Sequence, residues 1–247
     1  MAGRISYYGN IVKDGLILDL DAAKRDSYPG TGTIWNDISR FQNNGTLING
    51  PTFNNGNGGS IMFDGVDDKL SSEYFPNTTI NHISVCIKPT TTINSLSAGA
   101  SLIGFRKNST SSGQLDSNWY IALGQITLLL ANEYIVIADL SGNFRTGVTD
   151  GGSLSSNTWN LICFNWNGSY YDIYVNNVLK TVVSSASGHA KQLTNPNCLF
   201  AGYRTGDGAV DNAFYNGNIS YAMVYNKSLT SNEMTQNYNA TKTRYGI

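Results

Sequence analysis

The feature that most restricts the fold of this chain is its apolar alternation. Short runs of alternating apolar residues recur along all 247 residues, each cut off by glycine or asparagine. A period of two fits a pleated strand with one buried face and does not fit a helix. Residues 15–21 place Leu16, Leu18 and Leu20 on one face, and residues 60–64 form a short strand ending in a turn at Gly65. Residues 82–88 align Ile83, Val85 and Ile87. Pro89 then ends that strand, because it has no amide to donate to a ladder. Residues 119–130 hold two strands broken at Gly124-Gln125, and residues 134–140 follow as another. The clearest hairpin joins residues 160–166 to 170–175. Asn167-Gly168 reads as its type I′ turn, since both residues tolerate positive φ. Asn176-Asn177 turns the chain again into residues 178–183, and residues 213–225 alternate Ile219, Tyr221, Met223 and Tyr225.

One stretch breaks the pattern. Thr230-Ser231-Asn232-Glu233 has the spacing of a capping box, in which the threonine hydroxyl and the glutamate carboxylate each take up a free amide of the first turn. Met234, Tyr238 and Lys242 follow at a spacing of four, and Gly246 marks the end. About a dozen short strands, one helix, no linker and no repeat predict an all-β fold. The expected architecture is a two-sheet antiparallel jelly-roll sandwich with one short C-terminal helix. Residues 1–12 precede the first clear strand and read as an N-terminal arm, a possible docking segment; residues 13–247 read as one domain.

Charge narrows the partners. Charged residues are 13% of the chain and the net charge is −1, against a usual charged share of about 25%. The surface is therefore polar but nearly uncharged. No basic stripe is present to neutralise phosphates, which argues against nucleic acid. No run of about 20 apolar residues exists for a membrane-inserting helix. Residues 1–10 lack the apolar core of a signal peptide. Cys86, Cys163 and Cys198 are odd in number and widely spaced, and read as reduced thilos of a protein made in a reducing cytoplasm.

Catalytic groups are scarce. Glycoside hydrolysis needs two facing carboxylates, yet the only glutamates are Glu73, Glu133 and Glu233, none with an acidic neighbour at strand spacing. Asp19 and Asp21 share a strand face and read as loop anchors. His82 and His189 have no metal-ligand partners in sequence and read as surface residues. The chain is expected not to be an enzyme and to require no cofactor. Asp64, Asp67 and Asp68 offer three carboxylates within five residues, the chemistry of a Ca²⁺ site; the alternative is an Asx turn in which the carboxylates cap backbone amides. Residues 207–211 repeat the theme more weakly with Asp207 and Asp211. Among the aromatic residues, Tyr28, Trp35, Trp119 and Tyr203 are candidate ligand-stacking rings. Trp159 and Trp166 read as core. Tyr7 and Tyr8 in the arm, with Arg244 and Tyr245 at the other end, are candidate assembly contacts.

Several segments, in order, carry a resemblance. They are Gly15-Leu16-Ile17-Leu18-Asp19-Leu20-Asp21-Ala22, Trp35-Asn36-Asp37-Ile38-Ser39, and Gly59-Ser60-Ile61-Met62-Phe63-Asp64-Gly65-Val66-Asp67-Asp68. The run from Trp159 to Asn176 and the pair Tyr225-Asn226 with Gln236-Asn237-Tyr238 continue it. The chain resembles laminin-G-like, concanavalin A-like domains, in the form found in structural proteins of tailed bacteriophages. That resemblance implies a virion structural protein: a capsid decoration, fibre or tail-surface part in multiple copies, localised to the virion and contacting other virion proteins. The alternative it implies is a carbohydrate-binding adhesin that recognises host-surface glycans. Many relatives carry an aspartate for an internal cation where this chain has Ser220.

Overall fold

The computed structural model describes residues 10–72, 78–90, 100–108, 115–123, 134–139, 145–149, 154, 156–168, 171–180, 183–184, 193–194, 198–201 and 214–247. Its first strands are β1 (Leu16–Asp21), β2 (Ile34–Trp35), β3 (Gly45–Ile48), β4 (Thr52–Asn54), β5 (Ser60–Asp64) and β6 (Lys69–Ser72). Then come β7 (Thr79–Ile80), β8 (His82–Pro89), β9 (Ala100–Asn108), β10 (Leu115–Leu123), β11 (Tyr134–Asp139) and β12 (Arg145–Thr149). The last are β13 (Asn160–Trp166), β14 (Tyr171–Val175), β15 (Val178–Leu179), β16 (Val183–Ser184), β17 (Leu193–Thr194), β18 (Cys198–Ala201) and β19 (Asn216–Tyr225). A single helix, α1 (Ser231–Tyr245), follows them.

The strands form two antiparallel sheets of a jelly-roll sandwich. One runs β15-β14-β13-β8-β19-β5-β4, with β1 also paired to β19. The other runs β16-β12-β11-β10-β9-β18-β6-β3-β2, and β17 pairs with β7 apart from both. β19 is the longest strand and organises the first sheet. Its first half pairs with β5, its second half with β1, and β8 runs along its other side.

Alternation sorts the first sheet into two buried faces. Ile83, Val85 and Ile87 of β8, Ile162 and Phe164 of β13, and Val224 of β19 join the core between the sheets. Trp35, Leu47 and Leu70 close that core from the second sheet. The opposite face carries Cys86, Leu161, Cys163, Tyr221, Met223 and Tyr225, and α1 lies over it through Met234, Ala240 and Tyr245. At an order-of-magnitude value of 25 cal/mol per Å² of apolar surface, each such large side chain contributes roughly 2 kcal/mol. A bulge between Leu16 and Leu18 turns Leu16 to the helix side and Leu18 to the sandwich side, so all six residues of β1 are buried.

The capping box forms as its spacing predicts. Glu233 N–H donates to the Thr230 hydroxyl, while the Glu233 carboxylate accepts from Thr230 N–H at 2.9 Å. Gly246 ends the helix at φ 70°. The buried stripe differs from the expected one: it is Met234, Asn237, Ala240, Thr241 and Tyr245 rather than Met234, Tyr238 and Lys242. Two of its members are polar, so an apolar pattern does not reveal it. Asn237 Oδ1 accepts from Val12 N–H at 2.8 Å, and Tyr225 OH donates to the Val12 carbonyl. Ile11 and Val12 are buried there. Residues 11 and 12 are therefore packed against the helix and β19.

The turns also differ. Asn176 and Asn177 both have positive φ, 50° and 65°, as a two-residue type I′ turn requires. Gly168 has φ 105° but Asn167 does not turn positive, and β14 starts only at Tyr171. Beyond the Asn176-Asn177 turn, Val178–Leu179 pairs with β14, whereas Val183–Ser184 pairs with β12 in the other sheet. At the start of β5, a Cβ on Gly59 would lie 2.4 Å from the Ala22 carbonyl, so glycine alone permits that close approach. No helix among the described residues is long and apolar enough to cross a membrane.

His82 is not a surface residue. It lies on the helix-covered face and is 1% exposed. Asn165 is held in one orientation because its Oδ1 accepts from Leu229 N–H and its Nδ2 donates to Leu229 O. The imidazole Nδ1–H therefore donates to Asn165 Oδ1 at 3.0 Å, and Nε2 accepts from the Ser84 hydroxyl at 2.7 Å. Burial pushes the imidazole pKa down to about 4 from its ordinary 6.5, against smaller opposing effects of Asn165 and Glu233. Between these values the unfolded chain binds a proton that the folded chain does not. This contribution to stability is complete above pH 6.5 and is lost as pH falls toward 4, by roughly 3 kcal/mol. Chemical denaturation across pH 4–7 should show that slope, and His82→Gln should flatten it.

Candidate functional site

The connection between β2 and β3 is organised by one carboxylate. Asp37 is buried and accepts four hydrogen bonds, each 2.8 Å long. Its Oδ1 takes the amides of Asp19 and Ser39, and its Oδ2 takes the Ser39 hydroxyl and the Asn43 amide. Asn43 Nδ2 donates to Ile17 O, Ile38 N–H donates to Asp19 O, and Asn44 Oδ1 accepts from Asp37 N–H. These contacts tie the loop to the edge of β1 turned away from β19. At its tip Arg40, Phe41 and Gln42 are exposed. The Arg40 guanidinium carbon lies 4.8 Å from the centre of the Phe41 ring, within cation–π range. Gln42 has φ 55°, a left-handed conformation uncommon outside glycine, asparagine and aspartate. Ile34 of β2 is exposed on the same hairpin. The alternation argument passes over these residues because they belong to no strand face. The usable signal was an isolated phenylalanine among polar loop residues.

Two expected stacking rings prove to be core. Tyr28 is 3% exposed, its ring packed on Phe53 and its hydroxyl donated to Gly32 O. Trp35 is 1% exposed in the sandwich core. Neither offers a ring face to a ligand: Trp35 is the inward residue of β2, and Tyr28, in the loop before it, is turned in against Phe53. Trp119 lies in β10, of which the backbone is described; Tyr203, Tyr7, Tyr8, His189, Asp207 and Asp211 lie outside the described residues. Trp159 is buried under α1, while Trp166 is partly buried against the sandwich core.

Arg244 and Tyr245, expected as assembly contacts, fasten α1 to its own sheet. Arg244 donates to Asp21 Oδ1 at 2.9 Å and to Tyr245 OH at 3.1 Å. Ser220 Oγ donates to Gly59 O at 2.6 Å and so accepts from Tyr245 OH, also at 2.6 Å. Burial pushes the Tyr245 phenol up, so it stays protonated and able to donate. Asp19 and Asp21 are buried as anchors. Lys13 and Lys24 pair with Asp19, and Lys24 and Arg244 pair with Asp21. Burial raises the Asp19 pKa, with Lys24 and Lys13 opposing.

The acidic turn brings Asp64, Asp67 and Asp68 together, with ligand-type oxygens within 4.8 Å of one another. Asp64 Oδ1 accepts from the amides of Val66 and Asp67, and Asp68 Oδ2 accepts from Asp64 N–H. The Val66 amide, chiefly, holds the Asp64 pKa down; burial, chiefly, raises that of Asp68. Asx-type capping thus accounts for the turn. The same three carboxylates are the ones that would hold Ca²⁺.

Glu233 is taken by the capping box and by Lys227 Nζ at 2.7 Å. The model of the concanavalin A-like lectin/glucanases superfamily matches residues 83–235, more than half of the chain.

The chain belongs to this superfamily.

No curated protein matches it. Three solved structures share its fold at low identity. Domain 4 of an extracellular arabinanase from Geobacillus stearothermophilus, in complex with arabinotriose, is 13% identical with a TM-score of 0.61; the match covers 93% of this chain and 100% of that one. The receptor-binding domain of a botulinum neurotoxin C/D mosaic serotype is 16% identical with a TM-score of 0.63, and the match covers 92% of this chain and 51% of that one. Trypanosoma rangeli sialidase in complex with sialic acid is 12% identical with a TM-score of 0.62, covering 94% and 34%. The chain therefore spans about half of the toxin domain and a third of the sialidase. At these identities the likeness is one of fold.

Two measurements check the site. Asp37→Ala leaves several amides without an acceptor and should cost on the order of 3 kcal/mol in denaturant unfolding. The melting temperature should be the same in Ca²⁺ and in chelator; a rise of several degrees with Ca²⁺ would assign the acidic turn to a metal.

Proposed function

We propose that this domain recognises carbohydrate and leaves it chemically unchanged. The observation that carries the reading is the end-to-end match to a single domain of the same fold that holds arabinotriose. Glycan-recognising proteins recur among the other neighbours, including a botulinum serotype D ligand-binding domain in complex with N-acetylneuraminic acid. The chemistry agrees. Sugar recognition needs rigid loops, exposed rings and hydrogen-bonding side chains, and this surface is polar, weakly charged and rich in asparagine. Hydrolysis needs a free carboxylate pair, and the buried carboxylates Asp19, Asp21 and Asp37 and the helix-cap Glu233 are engaged by their own partners. A cell-surface glycan is the partner this reading names. Placement on a virion, with virion proteins as partners, rests on the sequence resemblance alone, and glycan recognition is the reading carried forward.

A glycan array containing neutral and acidic saccharides tests it. At least one class should bind at up to millimolar concentration, and chromatography after long incubation should return that saccharide intact. No binder anywhere on the array, or release of cleavage products, would overturn the reading.

A further inference from the structure

We propose that the tip of the β2–β3 connection, residues 40–42, is the saccharide contact and that it takes a sugar bearing a carboxylate. The proposal rests on the glycan reading above and adds a place and a ligand class. Securing the loop to β1 uses Asp37, Asn43, Ile38 and Asn44, all in its base. The tip residues take no part in that anchoring. Arg40, Phe41 and Gln42 point outward on a base that four hydrogen bonds to one buried carboxylate hold rigid. Phe41 belongs to neither core cluster. Ile34 and Phe41, two of the five large apolar side chains exposed among the described residues, sit on this one hairpin. Gln42 is held in its left-handed conformation by the same frame, with its carbonyl accepting from Asn44 N–H. Strained loop residues of this kind cluster at ligand-contacting sites.

The ligand class follows from charge and shape. Among the described residues Arg40 has no carboxylate partner; its guanidinium rests on the Phe41 ring. A planar guanidinium offers a carboxylate two parallel hydrogen bonds, and an adjacent aromatic ring packs against the C–H face of a pyranose. The exposed side-chain amide of Gln42 supplies both a donor and an acceptor for hydroxyl groups. A neutral sugar would leave the guanidinium without its partner, so sialic or uronic acids are favoured over their neutral counterparts. Rigidity of the base reduces the entropy lost when the tip engages its ligand.

Isothermal titration with sialyllactose, a glucuronate-containing disaccharide and lactose tests the proposal on the full chain, as wild type, Arg40→Gln, Arg40→Lys and Phe41→Ala. Both side chains are exposed, so the variants should keep the wild-type melting temperature. One acidic probe should bind the wild type at least tenfold more tightly than lactose. Arg40→Gln and Phe41→Ala should each weaken it at least tenfold, with Arg40→Lys between, because lysine keeps the charge without the fork. Variants that bind like wild type, or equal binding of lactose and the acidic probes, would overturn this site while the glycan reading stands. A wild type that binds no saccharide would overturn both.

Discussion

Burial of the first sheet on both faces is the constraint on which the rest of the structure depends. A sandwich normally leaves the outer face of each sheet to water. Here α1 covers that face, so every polar group beneath it needs a partner inside the protein. Asn165 is fixed by the Leu229 backbone, His82 by Asn165, and Ser84 by His82. At the other end of the helix, Arg244, Tyr245, Ser220 and Gly59 form a second chain of hydrogen bonds. Two polar networks thus pin one helix, and the N-terminal residues 10–12 are clasped against it.

The same constraint disposes of most groups that could do chemistry. Cys163 is buried, and its thiol pKa is pushed up to about 12 by burial, so it is no thiolate nucleophile at neutral pH. His82 stays neutral and occupied. Asp19, through Oδ2, and Asp21 are held by lysine and arginine partners. Among the described residues, the β2–β3 loop sets exposed side chains on a rigid base. That is how a binding module uses a sandwich.

Much of the fold was legible from local patterns. Alternation located β1, β5, β8, β13 and β19 closely, because side chains on a strand must alternate whatever covers the sheet. The capping box gave the start of α1 because its hydrogen bonds involve neighbours in sequence. Alternation cannot tell how many faces are covered, and this is why His82 looked like a surface residue and Arg244 and Tyr245 like free contacts. Tyr28 and Trp35 were misplaced for a related reason, since a ring beside a loop can turn either way and only tertiary packing decides. The stripe on α1 escaped notice because Asn237 and Thr241 are buried for their hydrogen bonds rather than their apolarity. The β2–β3 tip was illegible because its base depends on contacts to Ile17 and Asp19, 26 and 18 residues away from Asn43 and Asp37.

The most direct measurement is an amide-resolved NMR titration with the tightest array saccharide, following the sugar's anomeric signals in the same samples. Saturable shifts confined to one surface loop, unchanged amides at Asn165 and Leu229, and intact sugar are the predicted result. Loss of the sugar signals to cleavage products, or an unperturbed protein spectrum at saturating saccharide, would contradict recognition without chemistry.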